Sequence, residues 1–190
     1  PRTRYTYYPG TQIIPGNASV NIMNRSFSIG MDIEIPKGGA EGVIYSMGGC
    51  DGGIAVYIKD GKLKYVYNYV TSEYSYVESK DIVPEGRHIY RFEFEANSKP
   101  DVAKGLGSTG TGKLFIDEKL VGENEIKYTM PLSIGLGGGA SVGCDPGSPV
   151  CDDYKVPFEF TGKIYKVVID VSGDLLENHE AALKVIMARQ

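Results

Sequence analysis

Residues 53–67, GIAVYIKDGKLKYVY, constrain the fold more than any other stretch of the chain. Two strand-length runs rich in β-branched and aromatic residues flank Asp60-Gly61. A two-residue Asp-Gly loop suits a type I′ turn, whose twist matches that of the strands it joins. The stretch therefore predicts a β-hairpin. Residues 113–122, KLFIDEKLVG, predict a second one, with a polar tip at Asp117, Glu118 and Lys119. A chain assembled from such units is mostly antiparallel sheet, a scaffold better suited to presenting a surface than to burying a set of catalytic acids and bases.

A period of two appears elsewhere. Residues 26–35, SFSIGMDIEI, set Phe27, Ile29, Met31, Ile33 and Ile35 against polar or small neighbours, and residues 42–47 form a short apolar strand. The segment NYVTSEYSYVESKD continues as tyrosine-rich sheet. In HIYRFEFE, His88, Tyr90, Phe92 and Phe94 share one face, opposite Ile89, Arg91, Glu93 and Glu95. Residues 158–171 read as a final long or bent strand, with Tyr165, Val167, Ile169 and Val171 inward. The expected core is Phe27, Ile29, Ile33, Val56, Ile58, Phe92, Phe94, Phe115, Val167 and Ile169. After Gly173 the apolar period lengthens to about 3.6. Asp174 to Glu177 matches a capping box. The expected organisation is one domain, with a β-sandwich over 1–173 and an amphipathic helix over 174–190 packed on or beside it.

A length of 190 residues with 42% hydrophobic content suits one all-β domain with a sizeable core. The net charge is −4, and the basic residues are interspersed with acids. Phosphate neutralisation needs clustered Lys and Arg, so no nucleic-acid partner is expected. No apolar run reaches the length of a membrane helix, so a soluble chain with no membrane partner is expected. The opening PRTRYTYYPG has neither a signal-peptide core nor an initiating methionine, which points to a chain cut from a longer protein and leaves the compartment open. Three cysteines leave at least one thiol unpaired. Cys144 and Cys151 bracket DPGSPV, where a disulfide and two separate thiols are the alternatives. The sequons at Asn17 and Asn24 read as chance matches.

Motifs that carry chemistry are few. GSTGTGK at 107–113 has the spacing of a phosphate-binding loop, but Leu114 replaces the magnesium-binding Ser or Thr and a strand follows instead of a helix. The overlapping Gly105, Gly107 and Gly110 imitate a dinucleotide fingerprint and fail on the same context. With histidine only at 88 and 179, a catalytic triad or a zinc site has few parts to draw on. Two clusters stand out. Asp145, Asp152 and Asp153, on a proline-restrained turn, offer hard oxygen ligands of the kind calcium takes, although their alternative use is to cap turns. Tyr65, Tyr67, Tyr69, Tyr74 and Tyr76 are the other cluster. Alternation sends about half of them into the core, and Tyr67, Tyr69 and Tyr74 are the surface-contact candidates, for a protein partner or a sugar.

Several segments in order carry a resemblance. GGAEGVIYSMGGCDGGIAVYIKDGKLKYVYNY, PEGRHIYRFEFE, DVAKGLGSTGTGKLFIDEKLVGE, VGCDPGSPVCDDY and PFEFTGKIYKVVIDVSG together resemble the C-terminal region of large bacterial and archaeal-type arylsulfatases. The resemblance covers almost the whole chain. It implies an antiparallel, concanavalin A-like and laminin G-like jelly-roll sandwich, carried behind a sulfatase catalytic domain. The family's C-x-P-x-R motif, whose cysteine becomes the catalytic formylglycine, is missing: Cys144 is followed by Asp145-Pro146-Gly147-Ser148. The implied role is therefore non-catalytic, with no cofactor beyond the calcium site weighed above. Three functions compete. The first is an accessory domain that packs on the catalytic domain of the same polypeptide or mediates a homo-oligomer. The second is a carbohydrate-binding module, and the third is a glycoside hydrolase of the same fold. An exposed apolar patch favours the first, a groove with open tyrosines the second, and paired carboxylates across that groove the third.

Overall fold

The computed structural model describes residues 2–135 and 138–175. The helix expected over 174–190 therefore lies, from residue 176 onward, outside the described residues. Among the described residues the strands are β1 (Arg4–Tyr7), β2 (Phe27–Ile35), β3 (Gly42–Gly49), β4 (Gly52–Lys59), β5 (Lys62–Tyr69) and β6 (Glu73–Glu78), then β7 (Gly86–Ala96), β8 (Gly110–Ile116), β9 (Lys119–Ile126), β10 (Ala140–Val142) and β11 (Lys163–Asp170). Six of them form one sheet in the order β1-β11-β2-β7-β8-β9, and five form another in the order β10-β3-β4-β5-β6. Neighbouring strands run antiparallel in both. Among the described residues no helix is long and apolar enough to cross a membrane.

Both predicted hairpins are present. Asp60 and Gly61 take φ of 51° and 74°, the two positive values that a type I′ turn requires. Asp117 and Glu118 do the same at 46° and 67°, without a glycine to relieve the strain. The second turn is held from outside. The Asp117 carboxylate accepts the Ile89 amide at 3.0 Å and pairs with the His88 ring, while its own amide donates to the Ile89 carbonyl at 2.9 Å. The short range of side-chain hydrogen bonds suits Asp to left-handed backbone.

The two inner faces meet in one core that holds Ile29, Ile33, Val56, Ile58, Phe92, Phe94, Val167 and Ile169. Tyr65 of the five-stranded sheet stacks on Phe92 of the six-stranded sheet, with ring centroids 3.6 Å apart and planes 8° from parallel. Burying a side chain of that size stabilises the fold by about 1.5–3 kcal/mol. Along the open edge of β6, the Asn124 side chain donates to the Tyr76 carbonyl and the Lys80 amide donates to the Val121 carbonyl. This closes one side of the sandwich and leaves less of the edge strand free to pair with other chains.

Two inward assignments need correction. Phe115 faces out and its neighbour Leu114 faces in, fully buried opposite Phe92 in the ladder. The inward positions before Leu114 are Gly110 and Gly112, which an apolar pattern cannot show. A Cβ at Gly110 would come within 2.6 Å of the Phe94 ring, so the glycine makes room for the aromatic. Phe115 instead lies under the Arg91 guanidinium, 4.5 Å from its ring centroid. Tyr165 also faces out, because a bulge between Ile164 and Lys166 shifts the register and turns Ile164 inward. Its hydroxyl donates to Glu34, and Arg87 sits 3.7 Å above its ring. Cys144 and Cys151 are buried free thiols and Cys50 is an exposed one, so the bridge left open by the sequence is not formed.

Candidate functional site

The outer face of the five-stranded sheet would expose Val43, Ala55, Tyr57 and Val66, but it is covered. The segment 144–159 returns across it and packs Val150, Cys151 and Tyr154 onto these residues, with Val156 and Phe158 at the margin. Tyr154 meets Tyr57 edge-on at 5.2 Å and stacks on Phe158 at 5.2 Å. Polar contacts pin the segment at several points. Asp153 accepts hydrogen bonds from the Tyr57 hydroxyl at 2.7 Å, Lys59 at 3.0 Å and Lys64 at 3.1 Å. Burial alone would raise its pKa, but these three donors hold it down to about 2. Asp145, buried near the start of the segment, takes the Tyr154 hydroxyl at 2.6 Å and the Val150 amide at 3.2 Å. Burial dominates there, and the carboxyl is pushed above its usual range.

At the upper end of the sheet the organising residue is Asn68 of β5, itself fully buried. Its amide nitrogen donates to the carbonyls of Cys50 at 3.0 Å and Val150 at 2.9 Å, and its oxygen accepts the Thr71 amide at 2.8 Å. One side chain thus joins the β3–β4 turn, the β5–β6 turn and the covering segment. Nothing in VYNYV distinguishes Asn68 from an ordinary polar residue on an alternating strand, so sequence reasoning missed it.

Beside the covering segment one part of this face stays open. Tyr74 and Tyr76 of β6, two residues apart and therefore on one side of the sheet, are 36% and 38% exposed. Their ring planes lie 20° apart with centroids separated by 6.5 Å, forming a two-ring shelf. Tyr74 pairs in register with Asn68, which fixes the Val150 carbonyl, and the exposed Asp152 follows two residues further along the covering segment. Burial and then the Asp152 charge raise the Tyr74 pKa. The lysines that β4 and β5 present on this face are ion-paired: Lys59 to Asp153, Lys62 to Glu78, and Lys64 to both acids. Cys50, at the β3–β4 turn, also lines a cleft of about 410 Å³ together with Gly49, Asp51, Ser141, Pro146 and Ser148, among others.

The predicted site residues separate accordingly. Of the three surface-contact tyrosines only Tyr74 is on the open face. Tyr67 is 5% exposed and points into the core, where its hydroxyl accepts the Met130 amide at 2.8 Å. Alternation accounts for this, since Tyr67 shares the inward side of β5 with Leu63 and Tyr65. Tyr69 is half-buried at the sheet rim, its hydroxyl donating to the Gly105 carbonyl and its ring 5.9 Å from Tyr128. The three aspartates have different surroundings: Asp145 is buried on Tyr154, Asp153 is ion-paired with two lysines, and Asp152 is exposed. Among the described residues no group of three or more His, Cys, Asp or Glu side chains is gathered in a way that would hold a metal ion.

Among solved structures, the chain is similar in fold to the carbohydrate-binding module CBM40 of Ruminococcus gnavus IT-sialidase, with a TM-score of 0.56 and 16% identity over 94% of this chain and 97% of that one. The same module bound to alpha2,6 sialyllactose gives a TM-score of 0.55 and 14% identity, with 96% of each chain covered. Domains LG4-5 of the mouse laminin alpha1 chain give 0.51 and 12%, over 92% of this chain and 40% of that one. At these identities the likeness is one of fold, and it bears out the jelly-roll, laminin G-like sandwich. No family model matches the chain, and no curated protein matches it.

Proposed function

We propose that the chain is a non-catalytic carbohydrate-binding domain that takes its ligand on the Tyr74–Tyr76 shelf and in the cleft beyond Cys50. One observation carries this reading. On a sheet face whose apolar part is covered by segment 144–159, two nearly parallel tyrosine rings remain open, with the exposed Asp152 near enough for its charge to act on Tyr74. Open rings offer apolar faces to the C–H groups of a sugar, and a few fixed polar groups around them orient its hydroxyls. The fold likeness to a carbohydrate-binding module supports the same reading by analogy.

The carboxylates of the covering segment do not favour a hydrolase. Asp145 and Asp153 are spent on Tyr154, Tyr57, Lys59 and Lys64, whereas glycoside hydrolysis needs two carboxyl groups that face a shared substrate. Attachment to a sulfatase catalytic domain rests on the order of sequence segments alone, and the fold comparison adds nothing to it. The two ideas are compatible, since an accessory domain can hold a glycan for the enzyme that carries it.

Isothermal titration with an oligosaccharide selected on a glycan array tests the proposal. Tyr74→Ala/Tyr76→Ala is expected to weaken binding at least about tenfold while leaving the urea unfolding midpoint near that of the parent, as loss of a central aromatic contact does. Unchanged affinity in the double variant, or no glycan bound by the parent, overturns it.

A further inference from the structure

We infer that the shelf accepts a neutral sugar unit, and that Asp152 accepts hydrogen bonds from its hydroxyls while turning away units that carry a carboxylate or sulfate at that position. The inference rests on the carbohydrate-binding reading and goes beyond it by naming the ligand class. It also runs against the simplest fold analogy, because the similar module of the sialidase was solved with sialyllactose, an acidic sugar.

The argument is one of charge and commitment. An acidic sugar needs a cation to pair with, and the lysines that β4 and β5 present on this face are each already paired with a carboxylate. Lys59 holds Asp153 at 3.0 Å, Lys62 holds Glu78 at 2.7 Å, and Lys64 lies between the two acids at 3.1 and 3.3 Å. Releasing Lys59 or Lys64 would weaken the hold on Asp153, which helps pin segment 144–159, and releasing Lys62 would leave Glu78 with Lys64 alone. Asp152, by contrast, is exposed and makes no hydrogen bond or ion pair with the described residues. Its place is set by the neighbouring Val150 and Cys151, which are buried against β5 and β4 and tied there through Asn68 and Tyr57. An ionised carboxylate accepts hydroxyl hydrogen bonds that are shorter and stronger than neutral ones, and it repels a second anion placed over the same rings.

The test uses matched pairs on the array and in titration: lactose with alpha2,6-sialyllactose, and unsulfated galactan oligosaccharides with their sulfated counterparts, all at low salt. For a pair whose neutral member binds, the neutral form is expected to bind about fivefold more tightly or better, the scale of an exposed charge interaction. Asp152→Lys should remove or reverse that ratio, and Asp152→Asn should narrow it with little loss of fold. If acidic members bind as well as neutral ones, and Tyr74→Ala/Tyr76→Ala still abolishes binding, the ligand class is wrong and the carbohydrate site stands. A ratio insensitive to both Asp152 variants overturns the role of Asp152. If neither member of any pair binds, the carbohydrate reading falls, and the inference falls with it.

Discussion

Phe92 and Phe115, on neighbouring strands, show how one residue type serves two ends. Phe92 is fully buried and stacked on Tyr65, so Phe92→Ala is expected to lower stability by about 3–5 kcal/mol. Phe115 lies outside under Arg91, and Phe115→Ala should cost less than about 1.5 kcal/mol. Urea unfolding of both variants checks the assignment, and equal losses would contradict it. Asn68 is the residue on which the site's shape depends. Asn68→Ala leaves the Cys50 and Val150 carbonyls and the Thr71 amide without their partner, which is expected to cost about 1–3 kcal/mol and to loosen the shelf. Faster amide exchange at Thr71 in the variant would report it. Residues of this kind are not legible in sequence, because a buried hub amide and a solvated one occupy the same polar slot of an alternating strand.

Among the elements, segment 144–159 determines what the five-stranded sheet can present. Its acids titrate in opposite senses. The Asp153 pKa is depressed to about 2, so its contribution is fully present above its unfolded value near 4 and is lost as pH falls through about 2. Asp153→Asn is therefore expected to lower the unfolding midpoint at pH 7, and the gap to the parent should narrow as pH falls toward 2. The Asp145 pKa is raised by burial, so the folded state is penalised as pH climbs through the unfolded value. Asp145→Asn keeps an oxygen for Tyr154 and Val150, and it should raise stability at pH 7 while changing little at pH 3. A pH-independent effect of either substitution would contradict these roles. Most of the long strands were legible from their period of two or their short apolar runs, and the type I′ turn at Asp60-Gly61 from its residues; the second turn was legible only as a polar tip, and β1 was not read from the sequence. What alternation misplaced were Phe115, where inward glycines left no apolar mark, and Tyr165, where a bulge changed the phase.

For the whole molecule, the order of strands yields a two-layer sandwich with one large shared core, a smaller cluster under the covering segment, and a tyrosine shelf beside it. The fold class was readable from the sequence because alternating segments and short apolar runs, bounded by turn residues, recur along most of the chain. The site was only half readable. Tyr74 and the aspartate-rich turn could be singled out, but their meeting beside β6 depends on a long return across the sheet that no local pattern encodes. The account's central claim is that a glycan settles on this shelf and not on the charged outer face of the six-stranded sheet. Amide chemical-shift mapping of the isotope-labelled chain, titrated with an oligosaccharide that the array selects, tests it most directly. The account predicts shifts confined to residues 73–77, Cys50 and residues 147–153. Shifts centred instead on Arg87, Arg91 and Tyr165 would contradict it.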